Sequence, residues 1–596
     1  MKKVFCILLC LLLAGCTKIK TQQETTKTPS SNIQVDVNLE ELFSNRDLEG
    51  TYDESEAAQI TLSGSTAESD SGAVTIQGST VTIGREGVYR LAGSLDDGMI
   101  LIDCDKSEKV QLVLSDASIT SAACAPIYVR QADKVFITLE GENTLVNGGS
   151  FQAIDDSNID AVIFSKDDLT LNGTGSLKIQ SPAGHGIVSK DELTITGGVY
   201  DLTTASHGMT ANDCVSIAQG ELTIAAGKDG IHAEHDTDTA LGYVYIKDGS
   251  FTISAEGDGI SAGSWLQVDD GIFDIITGGG SVNGSQQSSQ DWGGMGGGMG
   301  PGGFGGGGPG GGRPGRGEVT LTAYTDTSED STSIKAIKAG GNLVINGGDF
   351  TVDSADDSIH SNADVAINGG SFTVASGDDG FHADGTLEVT DGTISISKSY
   401  EGIEGLHIRV AGGDITLKAS DDGLNAAGGT DQSGTGGRDQ FGGGRGGMGG
   451  GMSAGNGSIL ISGGKLSVNA SGDGIDANGT LEITGGHTTV CGPTQGDTAT
   501  LDYDKSATIT GGTFIGTGAS GMAQTFSDSQ QGVIAVSVGS QAAGTQITLT
   551  DSKGDVILTH EPELSFAVVI LSSPEIKKGD TYTIQVGTAQ ADFQAS

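Results

Sequence analysis

Gly348-Asp349-Phe350-Thr351-Val352, Gly370-Ser371-Phe372-Thr373-Val374, Gly392-Thr393-Ile394-Ser395-Ile396 and Gly413-Asp414-Ile415-Thr416-Leu417 are one phrase written four times, at spacings of 22, 22 and 21 residues. The same 22-residue step separates Gly198 from Gly220, Gly249 from Gly271 and Gly464 from Gly486. A second phrase, acid-Gly-apolar-X, runs beside it as Asp229-Gly230-Ile231-His232, Asp258-Gly259-Ile260-Ser261 and Asp379-Gly380-Phe381-His382. It returns as Glu401-Gly402-Ile403-Glu404, Asp422-Gly423-Leu424-Asn425 and Asp473-Gly474-Ile475-Asp476. Both phrases alternate apolar and polar residues with period two and are rich in Ile, Val and Thr. Gly, Asn and Asp punctuate them, so they predict short strands joined by turns. Nothing in the chain has a capped 3.6-residue period. A fixed period of this length, carrying strands and tight turns, predicts an all-β parallel β-helix.

Stacked coils turn sequence periodicity into spatial rows. Taking the acid of the second phrase as reference, one row reads His185, His207, Asp229, Asp258, Lys335, Asp357, Asp379, Glu401, Asp422, Asp473. Three residues on, a second row reads Val188, Thr210, His232, Ser261, Lys338, His360, His382, Glu404, Asn425, Asp476. Asp356, Asp378, Tyr400 and Asp421 precede the reference row by one residue. Unit charges one strand spacing apart, about 4.8 Å, repel by roughly 3 kcal/mol at an effective dielectric near 20. Such a row shifts its pKa values or recruits a cation. Carboxylates with turn carbonyls are hard oxygen donors suited to calcium. The expected calcium ligands lie among Asp356, Asp357, Asp378, Asp379, Glu401, Glu404, Asp421 and Asp422. The competing reading is that these acids cap turns in solvent. The histidines of the second row make a transition-metal site conceivable. Lys335 and Lys338 pair with neighbouring acids or, in an enzyme, supply a general base. Tyr400 and Trp265 are candidate faces for sugar rings, whereas Phe381 belongs to the core.

The whole chain has 596 residues, 99 of them Gly, with 77 acids against 31 Lys and Arg and a formal charge of −46. Nucleic-acid binding, which needs a basic face, is excluded. Lys2 and Lys3, the apolar run Val4 to Leu13 and Leu13-Ala14-Gly15-Cys16 read as an export signal ending in a lipidated Cys16. The run is too short to span a bilayer. The expected organisation is a signal over residues 1–16, a polar tether over 17–50 and the β-helix over 51–527. Gly-rich insertions interrupt the helix near 278–317 and 428–457, and a small β domain follows over 528–596. Cys104, Cys124, Cys214 and Cys491 form no CxxC pair and are expected to be buried and inert.

Several strings then carry a resemblance: Ser165-Lys166-Asp167-Asp168-Leu169-Thr170-Leu171-Asn172-Gly173, Lys228-Asp229-Gly230-Ile231-His232-Ala233 and Gly377-Asp378-Asp379-Gly380-Phe381-His382-Ala383. Tyr400-Glu401-Gly402-Ile403-Glu404-Gly405 and the run from Asp421 to Gly429 join them. The chain resembles the clostridial carbohydrate-binding β-helix lipoproteins, a family similar in fold to pectate lyases. That resemblance implies a right-handed parallel β-helix, bound calcium, and recognition of cellulose or acidic plant glycans such as polygalacturonate. It places the protein on the extracellular face of the membrane, held by its lipid. Two alternatives stand beside non-catalytic binding. One is a calcium-dependent polysaccharide lyase with Lys335 or Lys338 as base; the other is a structural or adhesive surface rod.

Overall fold

The computed structural model describes residues 31, 33–35, 37–284, 333–427, 455–494, 496 and 498–596. The signal segment with Cys16, and most of both Gly-rich runs, lie outside them.

Three parallel ladders organise the chain. The first carries the Gly-opened phrase: Ile272–Thr277, Asp349–Ser354, Ser371–Ser376, Thr393–Lys398 and Asp414–Ala419 pair in succession. Phe350 lies opposite Phe372, and Val352 opposite Val374. The second ladder carries the acid-Gly phrase, through Ile260–Ala262, Ile337–Ala339, Ile359–Ser361, Phe381–Val389 and Ile403–Val410. The third passes through Leu266–Val268, Leu343–Ile345 and Val365–Ile367. This stacking of successive turns is that of a β-helix. Pairing continues directly across both insertions, with Ile260 opposite Ile337 and Asp414 opposite Lys465.

Side-chain alternation fixes which face is inside. Phe251, Phe273, Phe350 and Phe372 stack at centroid distances of 4.7, 4.5 and 4.7 Å, nearly coplanar in orientation. Phe381 closes the file edge-on at 5.4 Å and is fully buried. The glycines have steric work. Gly348 and Gly370 take φ of +105° and +97°, open to glycine and strained for other residues. Gly380 sits where a Cβ would lie 2.5 Å from the Gly402 carbonyl oxygen of the next turn.

The described residues between 31 and 48, part of the expected tether, lie along the outside of the third ladder. Val35, Val37, Leu39, Leu42 and Phe43 pack beside Cys214, Tyr243, Tyr245 and Trp265. Asp47 is buried there, bonded to Thr170 Oγ1 and 2.9 Å from Lys134 Nζ. At the other end the parallel pattern stops. Phe566–Ser572 runs antiparallel to Thr513–Gly518 and to Val533–Gln541. A second antiparallel sheet joins Val556–His560, Ile547–Thr550, Thr581–Val586 and Ala589–Gln594, and shares one apolar cluster with Ile534, Val536, Val569 and Leu571. Cys104, Cys214 and Cys491 are buried, Cys124 is half-buried, and all four are free thiols. Burial pushes Cys104 up to about 11 and Cys214 up to about 12, which leaves them unreactive at neutral pH.

Candidate functional site

The second ladder sets the rows read from the sequence side by side. Lys338 lies opposite His360, His360 opposite His382, and His382 opposite Glu404. Glu404 lies opposite Asn425, and Asn425 opposite Asp476. The row before the reference acids is continuous as well: Tyr400 N–H donates to the Asp378 carbonyl and Asp421 N–H to the Tyr400 carbonyl.

The reference acids have a backbone task that explains the motif. Asp357 Oδ1 accepts the N–H of Asp379 at 2.9 Å, and Asp379 Oδ1 accepts that of Glu401 at 3.2 Å. Asp422 Oδ1 accepts the N–H of Asp473 at 2.5 Å, and Asp229 serves Asp258 likewise at 2.8 Å. One oxygen thus ties each coil to the next. The other stays available to the second row.

What meets that second oxygen changes along the stack. Lys335 is completely buried, with Nζ 2.7 Å from Asp357 Oδ2 and 3.2 Å from Asp356 Oδ2. His360 Nδ1 reaches the same Asp357 oxygen at 2.8 Å, and its Nε2 faces Asn362. Burial works against charge on Asp357, but Lys335 and His360 outweigh it and hold the carboxyl well below the usual range. Burial together with Lys335 lowers His360 to about 4. One turn on, His382 sits among Glu404, Asp379 and Asp384, at 2.9, 3.3 and 3.3 Å. Those three acids overcome the burial penalty and raise it well above an ordinary histidine. Glu401 is met by Asn425 Nδ2 at 2.8 Å to both oxygens.

Beyond Glu401 the neighbours are acids. Asp422, Asp473 and Asp476 bring one carboxylate oxygen each within 4.8 Å of one another, and all three are half-buried. Burial, then Asp421, Asp473 and Asp476, push Asp422 up to about 8 against the opposing Asp473 N–H bond. Burial, then Asp473, Asp502 and Asp504, push Asp476 up to about 7. Glu401 is raised well above its ordinary value by burial, Glu404 and Asp422. Carboxyls raised this far lack compensation for their negative charge, which a cation held there would supply.

The nominated calcium ligands therefore separate. Asp356 and Asp357 surround a lysine ammonium, and Asp379 and Glu404 surround a histidine. Asp378 brings a carboxylate oxygen within 4.8 Å of those of Asp356 and Asp357, while Asp422 belongs to, and Asp421 borders, a hard-oxygen set that chemically fits calcium. Asp473 and Asp476 complete that set and stand outside the nominated group; their signal is membership of the same two rows, 51 residues past Asp422 and Asn425. Lys335 presents no accessible base, having no exposed surface, whereas Lys338 is half-buried with its Nζ 3.8 Å from Asp258. Trp265 is buried and stacked on Tyr243 at 4.3 Å, one edge reaching a cavity of about 780 Å³ beside Gly340 and Asn342. Tyr400 is half-buried at the rim of the acidic patch, its phenol pushed up by burial and by Asp421.

The family of carbohydrate-binding domain-containing proteins matches residues 77–380 and 378–557 of this chain. A carbohydrate-binding domain-containing protein of Acetivibrio thermocellus is 36% identical over 122 residues, which are 20% of this chain and 43% of the relative. The chain thus spans less than half the length of that relative. A solved structure described as the polysaccharide lyase-like protein from C. thermocellum, a gadolinium derivative, is 31% identical. It covers 37% of this chain and 92% of its own, at a TM-score of 0.36. With matches running over most of its length, the chain belongs to the carbohydrate-binding domain-containing protein family.

Proposed function

We propose that this chain is a non-catalytic polysaccharide-binding protein, held at the outer face of the cell membrane through a lipid on Cys16. Its stacked acids hold calcium, and the calcium engages acidic plant glycans such as polygalacturonate; cellulose is the second glycan on the same reading. The rod is a right-handed parallel β-helix. The observation that carries the calcium step is the convergence of Asp422, Asp473 and Asp476 beside Glu401, Asp421, Asp502 and Asp504.

The electrostatics favour a bridging cation. A chain of formal charge −46 on balance repels a polyuronate. A divalent ion held by three protein carboxylates keeps coordination positions for oxygen ligands from outside. Repetition suits the partner too, since parallel coils about 4.8 Å apart offer equally spaced donors to a repeating chain. Tyr400, at the patch rim, is the aromatic residue placed to meet a sugar face. The burial of Lys335 between two acids speaks against its use as a lyase base.

Sedimentation with insoluble polygalacturonate and cellulose, in calcium and in chelator, tests this reading. Retention on at least one glycan is expected, with the acidic one released by chelator. No retention on either refutes it. Unsaturated product from polygalacturonate would replace it with the lyase reading.

A further inference from the structure

The glycine row of the first ladder leaves a trench in the surface of the rod. On its earlier coils Gly198, Gly220 and Gly249 stand just before Val199, Glu221 and Ser250, which face one another in register. Here the trench gains a wall, because the N-terminal segment crosses beside it. The buried Asp47 pins the Asn45–Leu48 helix through Thr170 and Lys134. Gly50 then passes so close to the rod that a Cβ on it would lie 2.9 Å from Gly173 N. Leu48, Gly50 and Thr51 border a cavity of about 620 Å³ whose other lining comes from four successive coils, from Gly173 to Gly249. Three coil steps make it about 14 Å long at the strand spacing.

Its lining has two characters. Leu48 is 54% exposed and Val199 40%, although both are apolar. Thr174, Gln219 and Glu221 are exposed, and their side chains hydrogen-bond to none of the described residues. Asp248 spends Oδ1 on the Gly249 N–H at 2.7 Å, which leaves Oδ2. The charged residues lining the cavity are Glu221 and Asp248, with no Lys or Arg. A sugar ring matches such a lining, with apolar C–H faces and a rim of hydroxyls that donate to carboxylate and amide oxygens. A uronate does not match it, because its own carboxylate meets two more.

We propose that this trench is a second glycan site, which takes a neutral chain of the cellulose type and works without calcium. The inference rests on the polysaccharide-binding reading and divides it between two places: acidic glycans at the acidic patch, neutral ones here. The ring faces lie on Leu48, Val199 and the bare glycine backbone, while Gln219, Glu221 and Asp248 accept hydroxyls. A trench that follows the rod axis suits a linear polymer. The larger cavity beside Trp265 does not compete, because Val35 and Val37 line it and pack beside Tyr243 and Trp265, so the chain itself covers those rings.

The test is a titration of cellohexaose into the full chain in chelator. Saturable binding is expected, unchanged when calcium is added. Gln219→Ala combined with Glu221→Ala is expected to weaken it at least tenfold; both side chains are exposed, so the fold is kept. Asp476→Asn, in the acidic patch, is expected to leave it unchanged. Absence of cellohexaose binding overturns the proposal, as does binding that the double variant leaves intact or that Asp476→Asn removes. Oligogalacturonate in calcium separates the two readings. If it binds and cellohexaose does not, this inference falls alone; if neither binds, the polysaccharide-binding reading falls with it.

Discussion

Lys335→Met is the substitution whose outcome the structure prescribes most tightly. The methionine keeps most of the aliphatic stem, so little cavity opens, and the lost element is the ammonium 2.7 Å from Asp357 and 3.2 Å from Asp356. Asp357 is 1% exposed and cannot turn to water. It retains the Asp379 N–H and His360 but has lost its nearest cation. Removing one partner of a buried ion pair costs about 3–5 kcal/mol, and the partial rescue by His360 places the expectation near the lower end. In a stacked architecture that loss is felt first by adjacent coils. Native-state hydrogen exchange should therefore show faster opening of Asp349–Ser354, Ile359–Ser361 and Ser371–Ser376, with the four-stranded C-terminal sheet unaffected. Adding Asp357→Asn should recover part of the loss, because the buried negative charge is gone while an oxygen still accepts the Asp379 N–H. Glycan binding should persist in the variant. A Lys335→Met protein within about 0.5 kcal/mol of the parent, a size typical of surface changes, would refute the buried-pair reasoning.

Three further expectations follow from other parts of the stack. Phe350→Ala removes a ring held between Phe273 and Phe372 and should cost about 3–5 kcal/mol by denaturant unfolding. Gly380→Ala sets a methyl 2.5 Å from the Gly402 carbonyl and should lower the melting midpoint by an amount equivalent to about 1–3 kcal/mol; an unchanged midpoint would show that the coils separate freely. Burial raises the Asp47 carboxyl, but bonds from Ser44, Thr170 and Lys134 outweigh it and hold it below its model-peptide value of 3.8. A depressed acid contributes stability above its unfolded pKa and loses it as pH falls through the folded one. The segment 37–48 should accordingly release from the third ladder only below about pH 4, read as a change in Trp265 fluorescence in a Trp292→Phe background, and Asp47→Asn should release it at neutral pH.

Much of the geometry was legible because period and register are the same information. The 22-residue step from Lys338 to His360 to His382 to Glu404 in the sequence is the pairing found in the second ladder. Crowding of acids at one edge follows from that step. Which acids are compensated does not, because it depends on side-chain reach. That Lys335 pairs with a neighbouring acid follows from the rows; that its ammonium is fully buried and reaches both Asp356 and Asp357 does not. The double use of each reference acid, one oxygen on the next coil's N–H and one on the second row, is likewise three-dimensional. The packing of Ile33, Val35 and Val37 did leave a trace: they alternate within an otherwise polar stretch. That alternation is too short to outweigh composition, so the burial of Trp265 beneath the segment was hidden.

The central claim is tested most directly by titrating soluble oligogalacturonate into the full chain, first with calcium, then with chelator, then with Asp476→Asn in calcium. The account predicts saturable binding in calcium, its loss in chelator, and an affinity at least tenfold weaker for Asp476→Asn, equivalent to about 1.4 kcal/mol. Binding of equal strength in all three would contradict it.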